Sequence, residues 1–564
     1  MKMRYASRTF GTCAMSLILA GALATGQLLA CGSAAVKDGA RETAMPAEVL
    51  SDEGVGYAYE DTEAMAASPS EVWMPTDYVA LGVTDFDTEE YAAVDEGGFV
   101  LVATRPLSTV SSDVDTASWC NLRRMVRQGY GLPTGKGSGS QQDDDWYGAA
   151  DTIPTGAVRI EEMLNYFSYD YDTPADEPFA ITAHLGPCPW NSQTELLTLG
   201  FASAPEDVAA QKGRNLVFLI DVSGSMDSDD KLGLLQDSFA TLLEQLDAND
   251  RVSIVTYASG EELVLEGVPG DHRREILRAI YRLRADGSTN GQRGLALAYE
   301  VAERNFIEGG VNRIVMASDG DLNVGMTSES ELHDYVSQKR ETGVYLSVLG
   351  FGSGNYKDTK METLADDGNG SYHYIDCQEE AERVFGERLC ANLVPFADDV
   401  KLQVEFNLAQ VKAYRLIGYE NRAMADEDFR DDTADAGDVG PGAQFTVAYE
   451  VVRADSELEV GSGDLKYQET VPTGSNEWLT ATLRYRSLED GEVREQEVVV
   501  DEAAWQEDPG DDWRFQAAVI ELGMLMRGSE YAGTASLESV RELVGEQAEG
   551  SERAGFNEVL DQLD

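Results

Sequence analysis

The stretch Asn215-Leu-Val-Phe-Leu-Ile-Asp-Val-Ser-Gly-Ser-Met226 decides how the middle of this 564-residue chain is interpreted. Its first six residues are almost wholly apolar, which is typical of a strand buried on both faces. Three oxygen-bearing side chains, Asp221, Ser223 and Ser225, follow at alternate positions, and Gly224 permits a tight turn before the next helix. Because alternate residues can point into one crevice, the sequence predicts a strand end that carries a ligand site.

Apolar strands alternate with amphipathic helices over the residues that follow. We expect strands at 252–257, 313–317, 345–349 and 371–375, with an edge strand at 262–268. We expect helices at 231–246, 273–284, 294–305, 329–341, 356–365 and 379–391. This alternation predicts an α/β fold over 212–396, with a doubly wound, mostly parallel sheet covered by helices on both faces. Such sheets bind ligands at the carboxyl ends of their strands.

Two more segments should reach the same edge of this sheet. The loop 287–291 carries Thr289, and the strand 313–317 continues into Ser318-Asp319-Gly320-Asp321. Together with the first motif they supply five hard oxygen donors: Asp221, Ser223, Ser225, Thr289 and Asp319. Such a set suits Mg²⁺, which prefers octahedral oxygen ligands, with Mn²⁺ or Ca²⁺ as alternatives. The alternative for the first motif alone is a helix N-cap.

This combination of motifs resembles the metal-ion-dependent adhesion site (MIDAS) of von Willebrand factor A (VWA) domains over 212–395. The resemblance implies a Rossmann-like fold in which Ser223, Ser225 and Thr289 contact the ion. It also implies that Asp221 and Asp319 hold the ion directly or through water, and that a partner's carboxylate completes the site. Longer stretches, among them 112–118, 157–167 and 414–422, are similar to the YfbK-type subfamily of bacterial VWA lipoproteins, so that the likeness spans 105–545.

The flanking regions have different patterns. Residues 31–104 are acidic, with almost no basic residues and no sustained period, which predicts a disordered tether. We expect an N-terminal VWA-flanking domain at 105–211, with helices at 116–128 and 157–167 and strands within 179–202. Residues 397–564 should form a C-terminal domain of β-sandwich-like strands followed by helices, because 400–406, 444–449 and 478–485 alternate apolar and polar residues.

The N-terminus is typical of an export signal. Lys2, Arg4 and Arg8 precede an apolar run over 14–30, which predicts a signal peptide at 1–30. The run ends in Leu-Leu-Ala-Cys31-Gly, which resembles the bacterial lipobox and implies lipidation of Cys31. We therefore expect a lipid-anchored protein of the bacterial cell envelope, in the outer membrane if the cell is Gram-negative. The alternatives are an ordinary cleaved signal and a transmembrane anchor, for which the run is short.

Four cysteines remain beyond the signal and the lipobox: Cys120, Cys188, Cys377 and Cys390. In an oxidising compartment they allow three disulfide connectivities. We prefer Cys120–Cys188 with Cys377–Cys390, because each pair would lie within one predicted domain. Free buried thiols are the alternative, and no spacing indicates a zinc site.

The charge of the chain restricts its partners. With 102 acidic residues against 43 basic ones, the formal net charge is −59, which excludes nonspecific nucleic-acid binding. The sequence thus predicts a membrane-anchored, metal-dependent protein-binding module, whose partner is an envelope or extracellular protein that offers Asp or Glu. We expect no enzyme activity, since no histidine near the motif is identifiable as a general base. The alternatives are a metal-stiffened structural envelope protein and a metal-dependent hydrolase.

Overall fold

The computed structural model describes residues 89–133, 152–174, 177–205, 212–289, 291–320, 329–388, 396–461, 471–488, 490–546 and 551–563. The export signal, Cys31 and most of the predicted tether lie outside these ranges. Within them, no helix combines the length and the apolar character that a bilayer crossing requires.

The described ranges contain sixteen strands, numbered in chain order: β1 Val100–Leu101, β2 Leu107–Ser111, β3 Phe179–Pro187, β4 Glu195–Ser203, β5 Arg214–Asp221, β6 Arg251–Tyr257, β7 Glu261–Pro269, β8 Val311–Ser318, β9 Tyr345–Phe351, β10 Tyr372–Ile375, β11 Ala397–Phe406, β12 Val411–Ile417, β13 Gly437–Val439, β14 Gln444–Arg453, β15 Glu477–Ser487 and β16 Val493–Asp501. The α-helices of the described residues are α1 Ala117–Arg127, α2 Ile160–Tyr166, α3 Leu234–Glu244, α4 Arg273–Ile280, α5 Gly291–Arg304, α6 Glu329–Arg340, α7 Asp358–Asp367, α8 Gln378–Glu382, α9 Asp511–Arg527, α10 Leu537–Val544 and α11 Glu552–Leu563.

The central sheet has the strand order β10-β9-β8-β5-β6-β7. All its neighbouring strands pair in parallel except β7, which runs antiparallel to β6 at the edge. All eight residues of β5 are buried, because both faces of the sheet are covered. Val217 and Leu219 pack with α5, α6 and α7 on one face, whereas Leu216 and Phe218 pack with α3, α4 and α8 on the other. The predicted doubly wound, mostly parallel sheet is therefore confirmed.

Two antiparallel sheets form a second core. One has the order β1-β12-β14-β4-β3, and the other has the order β13-β11-β15-β16, with β2 also paired to β11. Their inner faces share one apolar cluster, in which Phe201 of β4 and Val404 of β11 are buried. The β-sandwich-like region that the alternating pattern predicts is present.

The boundaries 105–211 and 397–564 predicted two separate flanking domains. In the structure, strands of one flanking region pair with strands of the other. Strand β4, from before the central sheet, pairs with β14 from after it, and β2 pairs with β11. Helices from the two flanking regions also pack together, because Trp119 of α1 stacks on Phe556 of α11 with ring centroids 5.3 Å apart. Long-range strand pairing thus joins both flanks into one structure.

The predicted tether extends too far at its C-terminal end. Residues 89–104, assigned to it, pack on the folded part: Val102 is buried, β1 pairs with β12, and Glu89 forms an ion pair with Arg124 at 2.8 Å. The local composition did not indicate this, because the partners of these residues, β12 and Arg124, lie elsewhere in the chain.

The preferred Cys120–Cys188 disulfide is not formed. Cys120, Cys188 and Cys377 are free cysteines in the structure. The Cys120 thiol lies on α1 beside the Arg123 guanidinium, at 3.8 Å, whereas Cys188 follows β3 and is buried elsewhere in the same core. A shared predicted domain did not bring the two thiols together. Cys377 is free as well, so the preferred Cys377–Cys390 bond is not formed either; Cys390 itself lies outside the described residues.

Candidate metal centre

The first motif forms a tight loop at the carboxyl end of β5. Asp221 and Ser223 are buried, and Ser225 is exposed. An Asp221 carboxylate oxygen accepts a hydrogen bond from the Ser223 N–H at 2.8 Å, and the Ser223 and Ser225 hydroxyl oxygens lie 3.0 Å apart. Alternation along the loop therefore places one buried and one exposed hydroxyl together, next to a buried carboxylate.

The spacing of these two hydroxyls fits a small divalent cation. Mg²⁺ binds oxygen at 2.0–2.1 Å in near-octahedral geometry, so neighbouring ligand oxygens lie about 2.9 Å apart. The Ser223 and Ser225 hydroxyls are hydrogen-bonded to each other at 3.0 Å, a separation that two adjacent ligands of such an ion can also have. Uncharged hydroxyls beside a carboxylate also match the oxygen chemistry that Mg²⁺ and Mn²⁺ prefer.

The pKa of the Asp221 carboxyl is set by its burial and by its neighbours. Removal from water raises the pKa of Asp221 to about 6, the hydrogen bonds from Ser223 oppose this rise, and the charge of Asp319 adds to it. The Ser318 hydroxyl, at the end of β8, donates to the second Asp221 oxygen at 3.3 Å. Strands β5 and β8 are neighbours in the sheet, so the topology brings Asp221 and Asp319 to the same edge.

The loop that carries Thr289 also reaches this edge. The Gly224 N–H donates to the Gly287 carbonyl at 3.0 Å, and the Asp286 N–H donates to the Val222 carbonyl at 2.8 Å. Thr289 lies two residues beyond Gly287 and is half-buried. Its hydroxyl makes no hydrogen bond to the other four predicted residues in the part of the chain that the structure describes. The structure thus joins the two loops through their backbones.

Asp319 has a cationic neighbour. The Lys231 ammonium donates to an Asp319 carboxylate oxygen at 3.1 Å, and the Asn355 amide donates to the same oxygen at 3.1 Å. Asp319 is fully buried, and 8% of the Lys231 side chain is exposed. The Lys231 ammonium thus pairs with Asp319, and the neighbouring Asp221 carboxylate leaves these three groups net negative, which favours a further cation.

Three parts of the chain match known families by sequence. Residues 216–321 match the model described as von Willebrand factor type A domain, residues 391–563 match that of the uncharacterized protein YfbK, C-terminal, and residues 85–136 and 147–198 match one described as von Willebrand factor. The chain is also 38% identical over 481 residues to the uncharacterized protein YfbK of Escherichia coli K12, covering 83% of this chain and 79% of that protein. The chain belongs to the YfbK family. The predicted family and VWA fold are therefore confirmed.

Other known proteins are also similar to this YfbK-family chain. An uncharacterized protein of Synechocystis is 28% identical over 189 residues, which cover 34% of this chain and 44% of that protein. A solved von Willebrand factor type A structure from Catenulispora acidiphila is 17% identical, with a TM-score of 0.38, covering 67% of this chain and 88% of that one. VWA domains typically bind other proteins, and they often carry a divalent cation site.

The sequence analysis of this YfbK-family protein missed Lys231 and Asn355. Lys231 lies 88 residues before Asp319, at the start of a predicted helix, and no spacing pairs the two. Asn355 directly precedes another predicted helix. Their contacts arise because β5, β8 and β9 are neighbours in the sheet and the loops after them converge.

Proposed function

We propose that this chain is a membrane-anchored, divalent-metal-dependent protein-binding module, in which a partner carboxylate completes the metal site. The observation that carries the proposal is the 3.0 Å separation of the Ser223 and Ser225 hydroxyl oxygens beside the buried Asp221 carboxylate. Ser225 is exposed, so this side of the site is open to a partner.

The five predicted residues would hold a divalent ion in two ways. The Ser223, Ser225 and Thr289 hydroxyls would contact it, and Asp221 and Asp319 would hold it directly or through water. A bound divalent ion supplies the positive charge that an incoming carboxylate needs. That carboxylate loses water on binding, so most of the affinity must come from the surrounding surface.

Binding rather than catalysis is the activity we propose. The residues at the site supply hydroxyls, carboxylates, one amide and one ammonium group. Three of the four histidines contact other groups: the two ring nitrogens of His373 contact Thr116 and Ser371, His333 contacts Asp367 at 2.6 Å, and His272 contacts Glu275 at 3.4 Å. A general base of the kind that metal-dependent hydrolysis uses would have to come from a different group.

Mn²⁺ binding tests the site directly. Electron paramagnetic resonance would measure free Mn²⁺ with the full chain, with Ser223→Ala/Ser225→Ala, and with Ser228→Ala as a control. Ser228 is an exposed neighbouring hydroxyl that donates to Asp230. We expect the double variant to lose at least tenfold in affinity and the control to bind as the wild type does. Equal binding by all three proteins would refute the metal site.

Capture of envelope proteins then tests the partner. We expect wild type and Ser228→Ala to retain the same protein from envelope extract, and EDTA or the double serine variant to abolish the retention. Lipidation of Cys31 is tested separately, by incorporation of an alkyne-labelled fatty acid into wild type and Cys31→Ser. Labelling of both proteins alike would refute the anchor without affecting the metal site.

A further inference from the structure

A short segment of this acidic chain is strongly basic. Helix α4 and the turns after it hold five arginines within twelve residues, at positions 273, 274, 278, 282 and 284, in a chain with only 43 basic residues. All five are exposed. The predicted helix 273–284 ends at Ile280, and Arg284 donates to the carbonyls of Tyr281 and Leu283 in the following turns.

These arginines have few carboxylate partners. Within the described ranges, none of the five forms an ion pair, whereas Arg304 on α5 pairs with Glu266 at 2.8 Å. A protein with more than two acidic residues for each basic one has many carboxylates that could compensate such a cluster. The unpaired positive charge is therefore available to a partner.

Three of the arginines line a cleft beside the candidate metal centre. The cleft has a volume of about 550 Å³, and Arg278, Arg282 and Arg284 border it. Val222, which lies between the Asp221 and Ser223 of the metal motif, is also part of its wall. The Val222 carbonyl accepts the Asp286 N–H at 2.8 Å, so the arginine turn and the metal loop are joined directly.

The rest of the lining suits a peptide segment. Val264, Leu265 and Leu283 supply an apolar floor. Two glutamates also line the cleft, and one of them, Glu275, faces His272 at 3.4 Å. Three arginines against two glutamates leave a local positive charge on a protein whose formal net charge is −59. An acidic ligand would be repelled by most of the surface and attracted here.

We propose that this cleft binds an acidic segment of the same protein partner whose carboxylate completes the metal site. The inference rests on the proposed function, and it specifies the partner as a peptide segment with several Asp or Glu residues. Arg278, Arg282 and Arg284 pair with the flanking carboxylates, while one carboxylate reaches the ion. The cleft thereby provides the surrounding affinity that a single desolvated carboxylate lacks.

A fluorescein-labelled octaglutamate peptide is the probe, and its anisotropy is measured with the full chain in mild detergent and 5 mM Mg²⁺. The test variant is Arg278→Gln/Arg282→Gln. The control, Arg273→Gln/Arg274→Gln, removes the same charge from the same helix outside the cleft. Because an exposed ion pair changes affinity by a factor of roughly 1.5 to 5, we expect the Kd to rise about fivefold for the test variant and less than about twofold for the control.

The outcomes separate this inference from the proposed function. If EDTA leaves peptide binding unchanged while the test variant still weakens it, the cleft is supported and the metal-dependent function fails. If Mg²⁺ strengthens binding but the test variant and the control behave alike, the cleft is refuted and the metal site stands. Vesicles containing phosphatidylglycerol provide the remaining comparison: a test variant that loses only vesicle binding would identify a lipid surface and overturn the proposal. Unchanged circular dichroism confirms that both variants fold.

Discussion

Replacing Lys231 with Met probes the charge balance at the candidate metal centre. The Lys231 ammonium is buried against Asp319, with 8% and 0% of the two side chains exposed and 3.1 Å between the paired atoms. Met keeps most of the volume of the side chain but removes its charge. Asp319 then retains the Asn355 amide at 3.1 Å as a neutral partner.

The expected cost follows from the burial of this pair. Removing one partner of a buried ion pair destabilises a protein by about 3–5 kcal/mol, and the remaining Asn355 contact favours the lower value, about 3 kcal/mol. Unfolding of the unit Val83–Asp564 at about 2.1 cal/mol/K per residue corresponds to an entropy of about 1 kcal/mol/K. A loss of about 3 kcal/mol therefore lowers the Tm by about 3 °C.

Thermal unfolding in EDTA and in 5 mM Mg²⁺ is the assay. A divalent ion supplies the charge that Lys231→Met removes, so we expect the loss of about 3 °C in EDTA to shrink to about 1 °C in Mg²⁺. Lys339→Met is the control, because Lys339 pairs with Glu303 on the surface at 2.7 Å and should show no such rescue. A Lys231→Met deficit that is the same in EDTA and in Mg²⁺ would refute the reasoning.

Two further predictions concern buried groups. Burial, together with the charge of Glu420, raises the pKa of Glu161 to about 7 from an ordinary 4.5. Ionised Glu161 therefore lowers the free energy of unfolding by about 3 kcal/mol above pH 7, and most of this loss disappears by pH 5. We expect Glu161→Gln to raise the Tm at pH 8 by about 3 °C and by less than about 1 °C at pH 5, and an equal gain at both pH values would contradict this. Gly320 directly follows Asp319 and has a φ of +88°, and a Cβ added there would lie 2.5 Å from the backbone nitrogen of Lys357. Because this clash would shift the backbone next to Asp319, we expect Gly320→Ala to weaken Mn²⁺ binding about tenfold. Gly354→Ala, at a φ of +90° with open space around it, is the control, and equal Mn²⁺ affinity in both variants would contradict this prediction.

The central sheet could be predicted because its signals are local. An apolar run such as 215–220 indicates a strand that is buried on both faces, as β5 is. The helical periodicity between such runs indicates the helices that cover the sheet. Ser223 and Ser225 could be placed together for the same reason, since they are separated by a single residue on one loop. The sequence predicted that the antiparallel strands exist, but it did not predict which of them pair with each other.

Pairings across long separations could not be predicted. The β2–β11 and β4–β14 pairs join segments some 240 to 300 residues apart, and alternation of polar and apolar residues does not specify which strand lies next to which. The same limit explains the absent Cys120–Cys188 bridge and the packing of residues 89–104.

By itself, the sequence determined the doubly wound α/β sheet and the position of Asp221, Ser223 and Ser225 at the end of β5, because short-range periodicity and motif spacing are properties of contiguous residues. Only the tertiary structure decided that Lys231 neutralises part of the charge of Asp319, that the flanking regions share their sheets, and that unpaired arginines border the metal loop. The physical reason is that charge compensation and strand partnership depend on distances between side chains, and those distances are set by the folding of the entire chain.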